Sequence, residues 1–278
     1  MSFLVLLMAL WLEKFSAVRQ RLQQDGFWLR QLAKVESSAR LQASPWLSLA
    51  LLVLLPTLLL GVLLLLLKPL AYGWLALPVH LLVLMFCLGR GDVLTALGPF
   101  RDAWRRDDGE AAYLVAARDL AVQADDREQL LTQVQGYLLW QAYQSFFAVI
   151  FWYALLGPLA ILAYRLFALS AEHAQQPALR ERAEQLRHAL DWLPVRVLAS
   201  SFALVGDFIA VSRALLHELL NWQISAAQLI ASAGRAAADT PQLDADESGL
   251  QSLDALWQLL VRAALLWYAG FALWTLLL

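Results

Sequence analysis

FWYALLGPLAILAYR, residues Phe151–Arg165, is an apolar run that Gly157 and Pro158 interrupt and an arginine closes. LDWLPVR, residues Leu190–Arg196, places a helix-breaking proline and another arginine at the start of a second apolar run. A proline in a membrane helix frees backbone groups that must bond to another helix, to water or to a ligand. Ionisable residues at membrane depth usually face a bundle interior or a cavity. The two segments therefore predict a polar site between membrane helices.

The composition of the whole chain also indicates an integral membrane protein. Of its 278 residues, 60% are hydrophobic and 12 are tryptophan, and the mean hydropathy is +0.57, which is more apolar than a soluble domain. The net charge is only -2 and the basic residues are dispersed among acids, so the sequence favours no nucleic-acid partner. The single cysteine, Cys87, and four histidines without ligand spacing favour neither a metal site nor a disulfide framework. We expect no cofactor.

Uncharged runs predict four transmembrane helices. Pro45–Leu67 has 23 residues, which at ~1.5 Å per residue extend roughly 35 Å, enough to cross a ~30 Å hydrocarbon core. Two further uncharged runs are Pro69–Gly89 and Phe146–Tyr164, and the fourth run, Ala255–Leu278, carries Arg262 as its only charge. No strand pattern competes with them. The expected fold is all-α, a polytopic membrane helical bundle.

Two further segments are predicted to lie on the membrane or partly within it. Residues 192–212 contain an uncharged run at Val197–Gly206 that is about half the ~20 residues of a crossing, so we expect a re-entrant or interfacial helix. Residues 1–44 combine a hydrophobic start with an amphipathic helical pattern. A position on the membrane surface and packing against the protein's own bundle are equally weighted alternatives for that helix.

These elements divide the chain into successive regions. They are an N-terminal hydrophobic and amphipathic helix (1–44), a transmembrane hairpin (45–89), a cytoplasmic helical region (90–145), a third span (146–169), a helical region (170–236), an acidic linker (237–254) and a C-terminal span (255–278). Asp108 is predicted to open one helix of the 90–145 region, and Asp125 with Glu128 another that continues into the third span. Pro177 is predicted to start the helix of the 170–236 region.

The distribution of lysine and arginine predicts the orientation of the chain in its membrane. These residues are frequent before the first span and after the second, whereas only Lys68 lies between the two. Because basic loops stay in the cytoplasm, we expect the N-terminal region and the 90–145 loop to be cytoplasmic.

Four ionisable residues are candidates for the polar site. Arg165 closes its apolar run, so snorkelling to the membrane surface explains it as well as ligand binding does. Arg196 and Asp191 lie within six residues of each other, and Asp191 is expected to orient one of the arginines on an anion. His80 lies inside the second predicted span, where a hydrogen bond to a neighbouring helix is favoured over a proton relay.

The same residues resemble a known family. FWYALLGPLAILAYR resembles the PLFW…GGPxGAxxYR segment of the cobalamin-pathway membrane synthases CbiB and CobD, and LDWLPVR resembles their iPaR segment. Over about residues 90–212 the chain is most similar to the AmpE family, an inner-membrane branch of this CobD/CbiB-like superfamily. At the acidic ENxxDG and polar NTLD strings of the synthases, the aligned residues here are Trp140, Gln141, Gln144 and Ser145, and Ala168, Leu169, Ser170 and Ala171. The chain therefore lacks the groups that a ligase needs, and we do not expect an enzyme.

The resemblance implies an accessory or regulatory inner-membrane protein associated with β-lactamase induction, hence antibiotic resistance, and with cell-wall recycling. Its expected ligand-binding residues are Tyr164, Arg165, Asp191, Arg196 and His80. The expected partners are membrane lipid, an anionic or amphiphilic small molecule and a second copy in a homodimer. The alternative is a membrane enzyme of the adenosylcobinamide-phosphate synthase type, which would join a different amine and carboxylate. A transporter ranks last, because the sequence shows one Gly-Pro break and no second, repeated half.

Overall fold

A computed structural model describes residues 25–69, 74–88, 93–238 and 248–277, and helices are the regular structure throughout these ranges. The α-helices are α1 (Gly26–Ser37), α2 (Ala39–Gln42), α3 (Pro45–Leu67), α4 (Ala76–Cys87), α5 (Val93–Arg105), α6 (Gly109–Asp119), α7 (Arg127–Ala142), α8 (Ala148–Leu156), α9 (Pro158–His173), α10 (Pro177–Val205), α11 (Phe208–Leu215), α12 (Ala226–Ala237) and α13 (Ser248–Leu277). A π-helical turn at Tyr143–Phe147 joins α7 to α8. The predicted all-α class is confirmed for the described residues.

The chain folds into two compact units, each made of two separate stretches. The described residues of Met1–Arg90 and Ala148–Asp191 form the first unit. Those of Gly91–Phe147 and Trp192–Leu278 form the second.

In the first unit, α9 packs against α3, α4 and α8. Trp28 and Leu32 of α1 are buried in one apolar cluster with residues of α3, α9 and α10. The Glu36 carboxylate accepts hydrogen bonds from the backbone N–H groups of Gln175 and Gln176, at 2.7 and 2.9 Å, and so supplies acceptors at the start of α10. Of the two alternatives for residues 1–44, packing on the protein's own bundle therefore describes α1, while residues 1–24 lie outside the described ranges.

In the second unit, α7 packs against α5, α6, α12 and α13. The packing between α10, α11 and α12 requires a glycine. A Cβ atom at Gly206 would lie 2.6 Å from the backbone oxygen of Ala237, closer than any side chain tolerates. The turn between α10 and α11 therefore lies directly against the end of α12.

Three described helices are long and apolar enough to cross a membrane: Pro45–Leu67, Arg127–Leu156 and Gly249–Thr275. The first coincides with a predicted span, and the last begins before its predicted start at Ala255. The predicted span Phe146–Tyr164 is wrong in its bounds, because Gly157 interrupts it and the helix instead extends back to Arg127. The predicted span Pro69–Gly89 is not confirmed, since only the shorter α4 is described within it.

Two of the helix starts predicted from capping and proline signals are confirmed, and a third is displaced by one residue. Asp108 accepts a hydrogen bond from the backbone N–H of Ala111 at 3.0 Å and caps α6, as predicted. Pro177 begins α10, as predicted. The predicted cap of α7 is displaced by one residue, because Asp126 rather than Asp125 accepts from the N–H of Gln129, at 2.7 Å.

Pro194 does not break a helix, contrary to prediction. It lies inside α10, which continues from Pro177 to Val205. Proline costs an interior helix one backbone hydrogen bond and a steric clash. The helix on both sides of Pro194 is long enough to absorb that cost.

Candidate functional site

The break between α8 and α9 positions the first candidate residues. Gly157 has φ 78° and ψ -160°, a backbone conformation that is essentially restricted to glycine. Pro158 then occupies the first position of α9, where its missing N–H costs nothing. Tyr164 and Arg165 follow on the second turn of this new helix.

The structure brings Tyr164 and Asp191 together in the first unit. The Tyr164 hydroxyl donates a hydrogen bond to Oδ1 of Asp191 at 2.8 Å, and the two residues are 3% and 2% exposed. On the other side of the carboxylate, Nε of Arg187 lies 3.7 Å from Oδ2. Arg187 also donates from Nη1 to Oε1 of Glu172 at 3.1 Å. The buried Asp191 carboxylate is thus held by the Tyr164 phenol and the Arg187 guanidinium. The same guanidinium also pairs with the Glu172 carboxylate.

The electrostatics of this cluster favour fixed charges over proton transfer. Burial raises the pKa of Tyr164 well above its usual value, and the neighbouring Asp191 carboxylate adds to the shift. Burial opposes the charged form of Arg187, but Tyr164, Asp191 and Glu172 outweigh it and raise the Arg187 pKa. The phenol therefore remains a hydrogen-bond donor and the guanidinium remains a cation.

Sequence reasoning missed Arg187, although a signal was present. Arg187 and Asp191 are four residues apart on one helix, the spacing at which side chains of opposite charge meet.

Arg165 has a different partner, which sequence reasoning also missed. Its Nη2 lies 3.3 Å from Oδ2 of Asp25, and the two side chains are 18% and 3% exposed. The Nε of Arg165 is buried and has no hydrogen-bond partner among the described residues. No sequence pattern pairs Arg165 with Asp25, which is 140 positions away.

His80 joins α4 to α8. Its Nδ1 lies 3.1 Å from the hydroxyl of Tyr153, and the two rings meet edge to face. The geometry is that of a structural hydrogen bond between neighbouring helices.

Arg196 lies in the second unit and is only 7% exposed. Its guanidinium donates to the backbone carbonyls of Trp192, Leu219 and Asn221, and it stacks 4.2 Å above the Trp192 ring. In the described part of the chain, all its hydrogen-bond acceptors are backbone oxygens. Arg196 therefore holds the turn that follows α11.

The five predicted residues thus lie in four separate places in the structure. Tyr164 and Asp191 are the two that contact each other. The described residues contain no group of three or more His, Cys, Asp or Glu side chains placed to hold a metal ion. In the first unit, Tyr164, Asp191, Arg187 and Glu172 are paired with one another.

Comparison with known proteins gives the family. The family described as "Regulatory signalling modulator protein AmpE" matches residues 1–241. A curated relative, Protein AmpE of Shigella flexneri, is 27% identical over 141 residues, which are 46% of this chain and 49% of that protein. The chain thus matches about half the length of this relative. No solved structure matches. Because the family match covers most of its length, the chain belongs to the AmpE family of regulatory signalling modulator proteins.

Proposed function

We propose that this protein is an inner-membrane regulatory protein that takes part in β-lactamase induction and cell-wall recycling by recognising an anionic or amphiphilic fragment. The observation that carries the proposal is the family match over residues 1–241. The three apolar helices support a position in the membrane. On this basis we propose both the class of fragment and the pathway in which the protein acts.

The proposed anion-recognition group is Arg165. Its side chain is 18% exposed, so a ligand can reach it, and its contact with Asp25 is a long one at 3.3 Å. Its buried Nε has no acceptor among the described residues. A carboxylate or phosphate that bound to two guanidinium nitrogens would satisfy this donor, because such pairs are typically bidentate. Binding would then displace or share Asp25.

Tyr164, the neighbour of Arg165 on α9, connects the proposed site to Asp191 on α10. An anion beside Arg165 would change the local charge one residue away from this buried hydrogen bond. The Tyr164–Asp191 pair is therefore the proposed relay between ligand binding and α10. In contrast, we propose a structural role for Arg196, because its guanidinium N–H groups already donate hydrogen bonds to backbone carbonyls.

We also propose that the chain is related to the CobD/CbiB-like superfamily. Where the synthases carry acids, this chain has Trp140, whose ring stacks on Tyr143 at 5.4 Å, and Gln141, which accepts a hydrogen bond from Gln144 at 3.1 Å. Aromatic rings and neutral amides supply no charge for binding a metal or activating a carboxylate. These contacts support the regulatory proposal over the synthase-type alternative.

The test compares Arg165→Ala with Arg180→Ala, a matched exposed arginine on α10 whose partner is Glu184 at 2.8 Å. Binding of muramyl dipeptide, an anionic cell-wall fragment, is measured by native mass spectrometry of the detergent-purified protein, and β-lactamase induction is measured in cells. We expect Arg165→Ala to lose both and Arg180→Ala to keep both. Equal binding and equal induction in the two variants would overturn the proposal.

The proposed cytoplasmic position of residues 90–145 and the proposed homodimer are tested separately. Membrane-impermeant labelling of a cysteine introduced at Asp108, which is exposed, reports the side of the membrane. Labelling from the outside in intact cells would contradict the orientation. Cross-linking and mass measurement in lipid nanodiscs would contradict the homodimer if only single copies are found.

A further inference from the structure

Helix α11 has two apolar sides. Val211 and Leu215 are 0% and 3% exposed and lie on the side that packs against α12. On the opposite side, Ile209 is 62% exposed, and in the turn beyond the helix end Leu216 and Leu220 are 72% and 86% exposed. A solvated helix places polar residues on its outer face, whereas the charged residue of α11, Arg213, lies beside large exposed apolar side chains.

The exposed side continues onto the end of α10. Leu204 and Phe208, on the two sides of the turn between α10 and α11, are 71% and 62% exposed. With Ile209, Leu216 and Leu220 they form what we term the α11 surface. It is larger than the scattered single hydrophobic side chains that are normal on a solvated surface.

The α11 surface adjoins a candidate transmembrane helix of the same unit. Ser201, one turn before Leu204, accepts a hydrogen bond from the indole N–H of Trp267 at 2.8 Å. Trp267 lies inside the span Gly249–Thr275, eight residues before its end. At ~1.5 Å per residue that position is about 12 Å from the end of the span, within the hydrocarbon core. The neighbouring Leu204 is thus carried to a depth where lipid is the surrounding medium.

The border of the α11 surface has the chemistry of a membrane interface. Arg213 is exposed on α11, and Trp222 beyond its end is 54% exposed. Tryptophan and arginine are favoured where acyl chains meet head groups. Two of the carbonyl contacts of Arg196, with Leu219 and Asn221, fix the turn that leads from Leu216 to Trp222.

We propose that the α11 surface is covered by the acyl chains of the bilayer, with Arg213 at the level of the head groups. Helix α11 has eight residues and cannot cross the membrane, so it is a partly inserted element held by α10 and α12. A second copy of the chain fits the surface less well, because the five side chains that form it are all apolar and its charged neighbour Arg213 lies only at the border, whereas protein interfaces include polar groups.

The experiment uses full-length protein in liposomes of phosphatidylethanolamine and phosphatidylglycerol, with the native thiol removed as Cys87→Ala. A nitroxide spin label is attached at Ile209→Cys or Leu216→Cys, and at Gln223→Cys, an exposed position beyond the surface, as the control. Collision of the label with oxygen, which partitions into acyl chains, is compared with collision with a water-soluble nickel chelate.

We expect a higher oxygen-to-nickel collision ratio at positions 209 and 216 than at 223. A ratio equal to that of Gln223→Cys would overturn the proposal, because the surface would then face water. Protection from both reagents would overturn it as well, because a protein, such as a second copy, would then cover the surface. Leu220→Cys, at the most exposed position of the surface, gives the same test if a label at 209 disturbs folding.

Discussion

Replacing Tyr164 with phenylalanine removes one hydroxyl group and leaves the ring in place, so it isolates the hydrogen bond to Asp191. That bond is 2.8 Å long, and both residues are almost fully buried. A hydrogen bond to a charged group contributes ~1.5–3 kcal/mol, and a buried acceptor left unsatisfied carries a similar cost. Arg187, 3.7 Å from the other oxygen, retains part of the stabilisation of the carboxylate. We therefore expect Tyr164→Phe to lower the free energy of unfolding by about 2 kcal/mol.

The assay is equilibrium unfolding in mixed micelles at increasing SDS fraction, followed by far-ultraviolet circular dichroism. Tyr113→Phe is the matched control, because the hydroxyl of Tyr113, on α6, has no hydrogen-bond partner among the described residues. Its effect should stay within about 0.5 kcal/mol. Asp191→Asn completes a double-mutant cycle with Tyr164→Phe, for which we expect a coupling energy between ~0.5 and 3 kcal/mol. A Tyr164→Phe effect as small as the control, or strict additivity in the cycle, would refute the reasoning.

Three further predictions concern packing and capping. Arg196→Ala removes the donor from the carbonyls of Leu219 and Asn221 and should cost ~1–3 kcal/mol and expose the turn after α11 to limited proteolysis. Arg180→Ala on the surface should cost at most about 1 kcal/mol, and proteolysis patterns that do not differ would contradict the capping role. Gly206→Ala places a Cβ 2.6 Å from a backbone oxygen and should destabilise by ~1–3 kcal/mol, while Gly270→Ala, at which a Cβ meets nothing within 4 Å, should stabilise α13 by ~0.5–1 kcal/mol. Thermal unfolding in detergent measures both, and destabilisation by Gly270→Ala as large as by Gly206→Ala would contradict the packing. Cys87 is 1% exposed and should react with a water-soluble maleimide only after unfolding, as intact-mass measurement would show; rapid labelling of the native protein would contradict its burial.

Local signals predicted the elements that depend on few neighbouring residues. The start of α10 at Pro177 and the cap of α6 at Asp108 follow from a single side chain and its neighbours. The span Pro45–Leu67 follows from an uninterrupted apolar run. These features need no tertiary information, because their physical cause is contained in one segment.

The candidate site was less predictable, because its contacts join distant segments. Asp25 reaches Arg165 across 140 positions, and no periodicity links the two. Arg196 was predicted to hold an anion because arginine at membrane depth needs a partner. That partner is a set of backbone carbonyls in a turn after α11, and carbonyls leave no signal in side-chain identity.

The two units also differ from ordinary domains in the order in which the ribosome makes them. The first unit needs Ala148–Asp191, but part of the second unit, Gly91–Phe147, is synthesised before that stretch. At ~5–20 residues per second, the roughly 100 residues from 91 to 191 take about 5–20 s to appear. During that interval α1 and α3 have neither α9 nor the start of α10 to cover them. Neither unit can be expressed as one uninterrupted fragment, and the newly made N-terminal helices must wait in the membrane or with a chaperone until the later helices arrive.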